Sequence, residues 1–317
     1  KLYVRRLLDQ ELCMREAGIL MAECILCPRR CQIDRNLQRG FCGCTYQMKV
    51  ARIGLHFYEE PPISGTRGSG AIFFSGCNLR CVFCQNMVLQ KGELGQYVTP
   101  AELAAAMLSM EKSGAHNINL VTPTPHVEGL LETLALARQA GLHIPVVYNT
   151  NAYMERDTVR RLSEYVDIWL PDLKYFDPQL SKAFSAAADY FETAIAAITE
   201  MYACSGPLRL EDNGLAKTGV LIRHLVLPGC IYDTRKILSV ISEHFGADAP
   251  VSLMCQYTPR EDLKAPLNRR LTRREYENAV DHAIALGMTN VFTQEAESAT
   301  FAYTPEFSDH IKIPQEL

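Results

Sequence analysis

The chain has 317 residues, 48% of them hydrophobic and 21% charged, enough to bury a large core in one main α/β domain with a small appendage. Its formal charge of −4 comes without a basic run or a Lys/Arg-rich helix, which argues against nucleic acid or an anionic membrane as a partner. No stretch of about 18 apolar residues occurs, and the first residues lack the apolar run and cleavage site of a signal peptide. A cytoplasmic location is therefore expected. There the 12 cysteines read as metal ligands rather than disulfides, the more so because five lie between Cys24 and Cys44 and three between Cys77 and Cys84.

In chain order, residues 1–65 form a Cys-rich metal-binding region. Cys24-x2-Cys27-x3-Cys31-x10-Cys42 has the spacing of a four-ligand site, with Pro28 and the Arg39-Gly40 turn shaping its loops and Cys44 as a substitute ligand. Zinc, stabilising a segment with little core of its own, and a second iron–sulfur cluster both fit it. Cys13, Cys204, Cys230 and Cys255 stand alone and read as packing residues. The stretch EEPPISGTRGSG reads as a linker.

Residues 66–295 alternate short apolar runs with helix-length periodic segments, the pattern of βα units around a parallel sheet. The strands are AIFFSG, HNINLV, IPVVYN, VDIWLP, VLIRHLV and VSLMC. Thr99, Pro100 and Glu102 start one helix as a capping box, Gly141 follows a helix beginning near Val127, and Asp177-Pro178 and Thr272 with Glu275 repeat the start signals. The alanine-rich Phe184–Ala203 stretch reads as one amphipathic helix, and residues 296–317 as an uninformative tail. Six units are too few to close an eight-stranded barrel, so the expectation is an α/β, open, partial (β/α)6 TIM-like barrel with its chemistry at the strands' carboxyl ends. Polar residues do follow the strands in turn: Cys77; Thr122 and Thr124; Asn149 to Asn151; Asp172 and Lys174; Arg223 and His224; Gln256 and Tyr257.

GCNLRCVFCQN places Cys77, Cys81 and Cys84 at C-x3-C-x2-C in a loop directly after a strand. Such a loop wraps three corners of a cubane and leaves the fourth iron without a protein ligand, open to a small molecule that it can reduce. Zinc fits less well, since it takes four protein ligands in structural sites and no fourth partner is near in sequence. With Phe83 before the last cysteine, this motif resembles the signature of the radical S-adenosylmethionine (SAM) superfamily. YNTNAY, LPDLKYFD, IRHLVLPG and MCQYTP, together with CILCPRRC and GFCG, resemble the PflX-like branch of the pyruvate formate-lyase activating enzyme group, over roughly residues 24 to 295.

That resemblance implies a [4Fe-4S] cluster and SAM as cofactors, and an oxidoreductase that cleaves SAM reductively to a 5′-deoxyadenosyl radical. The radical would abstract hydrogen from a protein, peptide or small-molecule substrate, a glycyl-radical protein among them. It implies that Phe83 helps hold the adenine, although packing beneath the loop explains it as well. It also implies a Gly-Gly-Glu-Pro end to the second strand, where this chain has Thr122-Pro123-Thr124-Pro125. Thr124 stands in the glutamate's place, and a proline turn is the plain alternative. Asn149 and Asn151 match the strand-end loop that contacts the SAM ribose or methionyl group. Asp172 and Lys174 point the same way along an extended segment toward the SAM zone, unless they form a private salt bridge. Arg223, a rigid two-pronged donor, suits the SAM carboxylate, while His224 alternates to the other face and reads as a core histidine. No further cluster motif follows the radical loop, so electrons are expected from a separate flavodoxin or ferredoxin. The rival expectation is a non-catalytic redox carrier or metal-binding protein, which needs no rim of Asn, Asp, Lys and Arg.

Overall fold

A computed structural model describes residues 23–295 and 304–311. Its strands are β1 (Met48–His56), β2 (Ser69–Phe74), β3 (Gln96–Val98), β4 (Ile118–Val121), β5 (Val146–Thr150), β6 (Ile168–Pro171), β7 (Arg209–Leu210), β8 (Ala216–Val220), β9 (Ile222–Leu225), β10 (Val251–Met254) and β11 (Val291–Thr293). β2, β4, β5 and β6 pair in parallel, and β6 continues onto β8. After Leu221 the chain resumes as β9, which pairs in parallel with β10 and through it with β11. A bridge between Asp172 and Arg223, with Leu173 N–H donating to Arg223 O at 2.8 Å, joins the two sheets across the end of β6. The six expected strands thus form an open, partial (β/α)6 barrel.

Every residue of β2, β4, β5, β6 and β10 is buried, as parallel strands covered on both faces require. The helix Pro100–Lys112 starts at a complete Thr99–Glu102 capping box and Arg273–Ala285 at a Thr272–Glu275 one, while Asp177 caps Pro178–Ser185. Among the described residues no helix is long and apolar enough to cross a membrane.

Three local expectations are corrected. The Cys-rich region expected over residues 1–65 is not separate throughout, because β1 runs antiparallel along β2 of the barrel sheet and carries β3 on its far side. The proline-rich stretch is no solvated tether: it forms a short helix, Pro61–Ser64, whose Ile63 is fully buried with Val147, Ile168, Leu170 and Leu221. The Phe184–Ala203 reading divides into the helices Pro178–Ser185 and Tyr190–Ser205, parted where Ala186 turns left-handed at φ 56°. Of the isolated cysteines, Cys230 and Cys255 are buried, Cys204 is exposed, and Cys13 lies outside the described residues.

Candidate active site

The strand ends open into a cavity of about 240 Å³. Gly76 starts its cysteine loop at φ 87°, and a Cβ there would fall 2.0 Å from Cys44 Sγ, so only glycine fits the approach. Gly76 N–H donates to Leu89 O, and Cys77 N–H is shared between Cys42 O and Gln90 O, which pins the loop to the segment behind it. Cys77, Cys81 and Cys84 all line the cavity. Asn151 Nδ2 donates to Cys77 Sγ at 3.4 Å and the Ser185 hydroxyl to Cys81 Sγ at 2.9 Å. Burial pushes the thiols of Cys77 up to about 12 and of Cys84 to about 11, and raises Cys81 as well. Iron held there therefore displaces protons as it binds.

Phe83, Asn149, Asn151, Asp172, Lys174 and Arg223 share this cavity. Phe83 stands edge-on to Tyr175 and Tyr257. Asp172 is the hub of the charges: Lys174 Nζ lies 2.6 Å from one oxygen, and Arg223 Nε donates to the other at 2.9 Å. Burial works to raise the Asp172 carboxyl, but Arg223 and Lys174 outweigh it and hold it low. Burial likewise pulls Arg223 down, and the carboxylates of Asp172, Glu60 and Glu59 hold it up. Lys174, with the same opposition of burial and Asp172, stays raised and faces the Cys81 sulfur.

Thr124 is placed elsewhere. It is buried against the Tyr148 hydroxyl at 3.4 Å and lines a second, smaller cavity, while Thr122 takes the rim position. Thr122 is β-branched yet sits at φ 58°, a conformation that costs about 1–3 kcal/mol. His224 is a core residue as expected: Nδ1 donates to Leu173 O and Nε2 meets the Thr234 hydroxyl.

Glu59 was missed by sequence reasoning. It reaches the cavity from the segment after β1, accepts from Asn119 at 2.8 Å and Asn149 at 3.3 Å, and pairs with Arg223 at 3.3 Å. The carboxylate absent from the end of β4 is thus brought in by the segment after β1, beside Asn119 of β4 and Asn149 of β5. Only its glutamate pair hinted at this, in a stretch whose prolines imitate a tether. Gln90, which donates to Cys81 O and borders the cavity, was likewise silent in the sequence.

The second cavity gathers Cys24, Cys27, Cys31 and Cys42 behind the loop, with Asn78 in its wall. Cys44 does not line it, but its thiol hydrogen-bonds that of Cys42 and also lies 3.2 Å from Ser75 O and 3.6 Å from His126. Among the described residues no three His, Cys, Asp or Glu side chains converge closely enough to hold a single metal ion. The rim's donor set suits a cluster instead: three thiols on one loop, all opening into one space. The charged rim beside them suits a ligand with both a carboxylate and an ammonium.

The uncharacterized protein MJ0674 of Methanocaldococcus jannaschii is 31% identical over 276 residues, covering 83% of this chain and 75% of that protein. Among solved structures, Streptococcus suis SuiB bound to its precursor peptide SuiA aligns at a TM-score of 0.49 and 16% identity, over 69% of this chain and 46% of SuiB. A domain of a pyruvate-formate lyase-activating enzyme from Bacteroides vulgatus aligns at 0.39 and 15%, over 55% of this chain and 94% of that domain. Residues 71–208, which hold the cysteine loop and the strand ends through Lys174, match the Radical SAM superfamily. By that match and its long likeness to MJ0674, the chain belongs to the radical SAM superfamily.

Proposed function

We propose that this protein is an oxidoreductase in which Cys77, Cys81 and Cys84 hold a [4Fe-4S] cluster and the surrounding rim holds SAM. The observation that carries the reading is that all three thiols open into the same cavity as Asn149, Asn151, Asp172, Lys174 and Arg223. When bound, the cluster supplies one electron to SAM, whose S–C5′ bond breaks to give methionine and a hydrogen-abstracting 5′-deoxyadenosyl radical. The chain's own part is to bind and orient. Lys174 has spent one of its three donors on Asp172, so two remain for the SAM carboxylate beside Cys81. Arg223 is committed to Asp172, Glu59 and Asn149 and fixes their positions. Glu59 stands as the anion for the SAM ammonium, in the role Thr124 does not reach. Phe83 and Tyr257 form an apolar wall that keeps water from the radical.

The finer reading follows the sequence motifs: the PflX-like branch of the activating enzymes, working in the cytoplasm, with electrons from a flavodoxin or ferredoxin and a glycyl-radical protein as substrate. A metal-binding region around Cys24, Cys27, Cys31 and Cys42 precedes the catalytic barrel, which includes β1 and the Pro61–Ser64 helix and runs to residue 295. Anaerobic reconstitution with iron and sulfide, then SAM and dithionite, tests the chemistry. The expected result is 5′-deoxyadenosine and a SAM-dependent change in the cluster's EPR signal, both lost in Cys81→Ala. A protein that binds iron yet yields neither is a carrier. A glycyl-radical EPR doublet on a co-purified partner tests the substrate.

A further inference from the structure

We propose that a recess beside the large cavity, bordered by Glu60, holds an ammonium group of the substrate carried on a short apolar stem. The proposal deepens the reading of the large cavity as the SAM site and rests on it, since the recess adjoins that cavity.

The recess, of about 90 Å³, lies between the segment after β1 and the ends of β10 and β11. It shares Tyr58, Glu59, Arg223, Met254 and Gln256 with the large cavity, so a group seated in it lies against the same walls. One ordered water needs about 10–15 Å³. The recess therefore takes a group of several heavy atoms.

Its chemistry is set by Glu60. The Ser252 hydroxyl hydrogen-bonds this side chain, yet Oε2 is shut off from solvent and has no partner. Buried polar oxygens nearly always accept a hydrogen bond. The surrounding residues do not supply the donor. Among the described residues Arg223 is the only cation on the recess wall, and its Nε, Nη1 and Nη2 already serve Asp172, Glu59 and Asn149. The Gln294 amide donates to Gln256 Oε1 at 3.2 Å, and the Gln256 amide lies on the Met254 sulfur. Two adjacent carboxylates beside one committed cation call for a positive ligand. Because one oxygen is free rather than two, a compact ammonium fits it better than the two-pronged guanidinium. The last torsion of a glutamate is soft, so the carboxyl can turn Oε2 toward that group. Met254, Phe292 and Pro61 give its stem an apolar wall. Glu59 faces SAM in the reading above, which leaves Glu60 for the substrate.

The test titrates two cationic probes, pentylamine and the capped tripeptide acetyl-Gly-Lys-Gly-amide, against the anaerobically reconstituted full chain with SAM added. Pentanol and the norleucine tripeptide are the neutral counterparts, and calorimetry reads the affinities. A cationic probe is expected to bind about ten-fold more tightly than its counterpart, as one charge-assisted bond provides. Preference for pentylamine alone marks a free amine as substrate, and for the tripeptide alone a lysine side chain. Glu60→Gln keeps the shape and should erase the preference. Thr293→Lys, at an exposed strand end on the recess wall, sets a tethered ammonium there and should erase it too, which covers the case of a misfolded Glu60→Gln. Equal affinity for charged and neutral probes, as a recess holding only ordered water would give, overturns the proposal. So does binding of neither cationic probe, or a preference that survives in the folded variants. A parent that discriminates between the probes but binds no SAM instead sinks the reading of the large cavity and leaves the ammonium site standing.

Discussion

Glu59 and Lys174 stand at opposite ends of a chain of charges that runs through Arg223 and Asp172. Burial raises the neighbouring Glu60 carboxyl, whose Oε2 finds no partner. A zwitterionic ligand adds no net charge to this chain of charges, its carboxylate meeting Lys174 and its ammonium Glu59. Glu59→Gln keeps the shape and removes the charge, and SAM affinity is expected to fall about ten-fold, the loss of one charge-assisted bond. Calorimetric titration of reconstituted protein measures it, and unaltered binding would remove Glu59 from the site. Two buried histidines give a second prediction. Burial lowers His224 and His126 to about 4. The unfolded chain takes up protons below about pH 6.5 that the fold refuses until about pH 4, so stability is full above that window and falls as pH drops through it. Urea denaturation should show a loss of about 2 kcal/mol per histidine between pH 7 and 5. His224→Gln should recover about half of that difference, and an unchanged slope would place the protons elsewhere. At this scale the sequence revealed the cysteines and the residues at the strand ends, since both follow from position along one strand. Glu59 and Ser185 escaped it because their neighbours, Arg223 and Cys81, lie more than a hundred residues away.

The secondary elements were legible wherever the signal is local. The capping boxes at Thr99 and Thr272 formed as read, because each needs only a four-residue match between side chain and backbone. Thr272→Ala should lower stability by about 1 kcal/mol through the lost N-cap, and a melting temperature equal to the parent's would show the turn held by Arg269 and Glu275 alone. β1 was not legible. Most of its residues are only half-buried, and its antiparallel place beside β2 depends on a partner strand rather than on its own alternation. The merged helix reading failed at Ala186, since alanine favours helix and gives no warning of a left-handed stop. Ala186→Gly should therefore stabilise the protein by about 0.5–1 kcal/mol, because glycine adopts that conformation without the Cβ clash. A destabilised variant would show that the alanine methyl is worth more in packing than the strain it carries.

Across the whole molecule, both ends of the described chain fold back onto the rim, an arrangement that no local pattern announces. Near the carboxyl end, Thr304 and Pro305 border the large cavity, Phe307 packs edge-on against Phe73, and Asp309 accepts from Gly95 N–H at 2.7 Å. At the other end one ring helps hold the cysteine-rich segment, beside the Arg30–Glu155 pair and the bonds from Arg35 to Pro125 O and from Thr158 to Leu26 O. Phe41 lies between two guanidinium groups, with Arg29 Cζ 4.0 Å and Arg80 Cζ 4.5 Å from its centroid. Arg29 also donates to Asn78 O at 2.9 Å and to Ala186 O at 2.6 Å, so the ring orders both arginines that tie the segment to the barrel. Each stacking contact contributes about 0.5–1 kcal/mol at such partly exposed sites, and removing both should weaken docking by about 1–2 kcal/mol. Phe41→Ala is accordingly expected to speed amide exchange in residues 24–45 by roughly ten-fold while β4, β5 and β6 keep the parent's protection, since local opening draws on the segment's own contacts. Faster exchange across the barrel as well would mean that the segment and the strands open together, and the cysteine-rich region would then count as part of the barrel's own core.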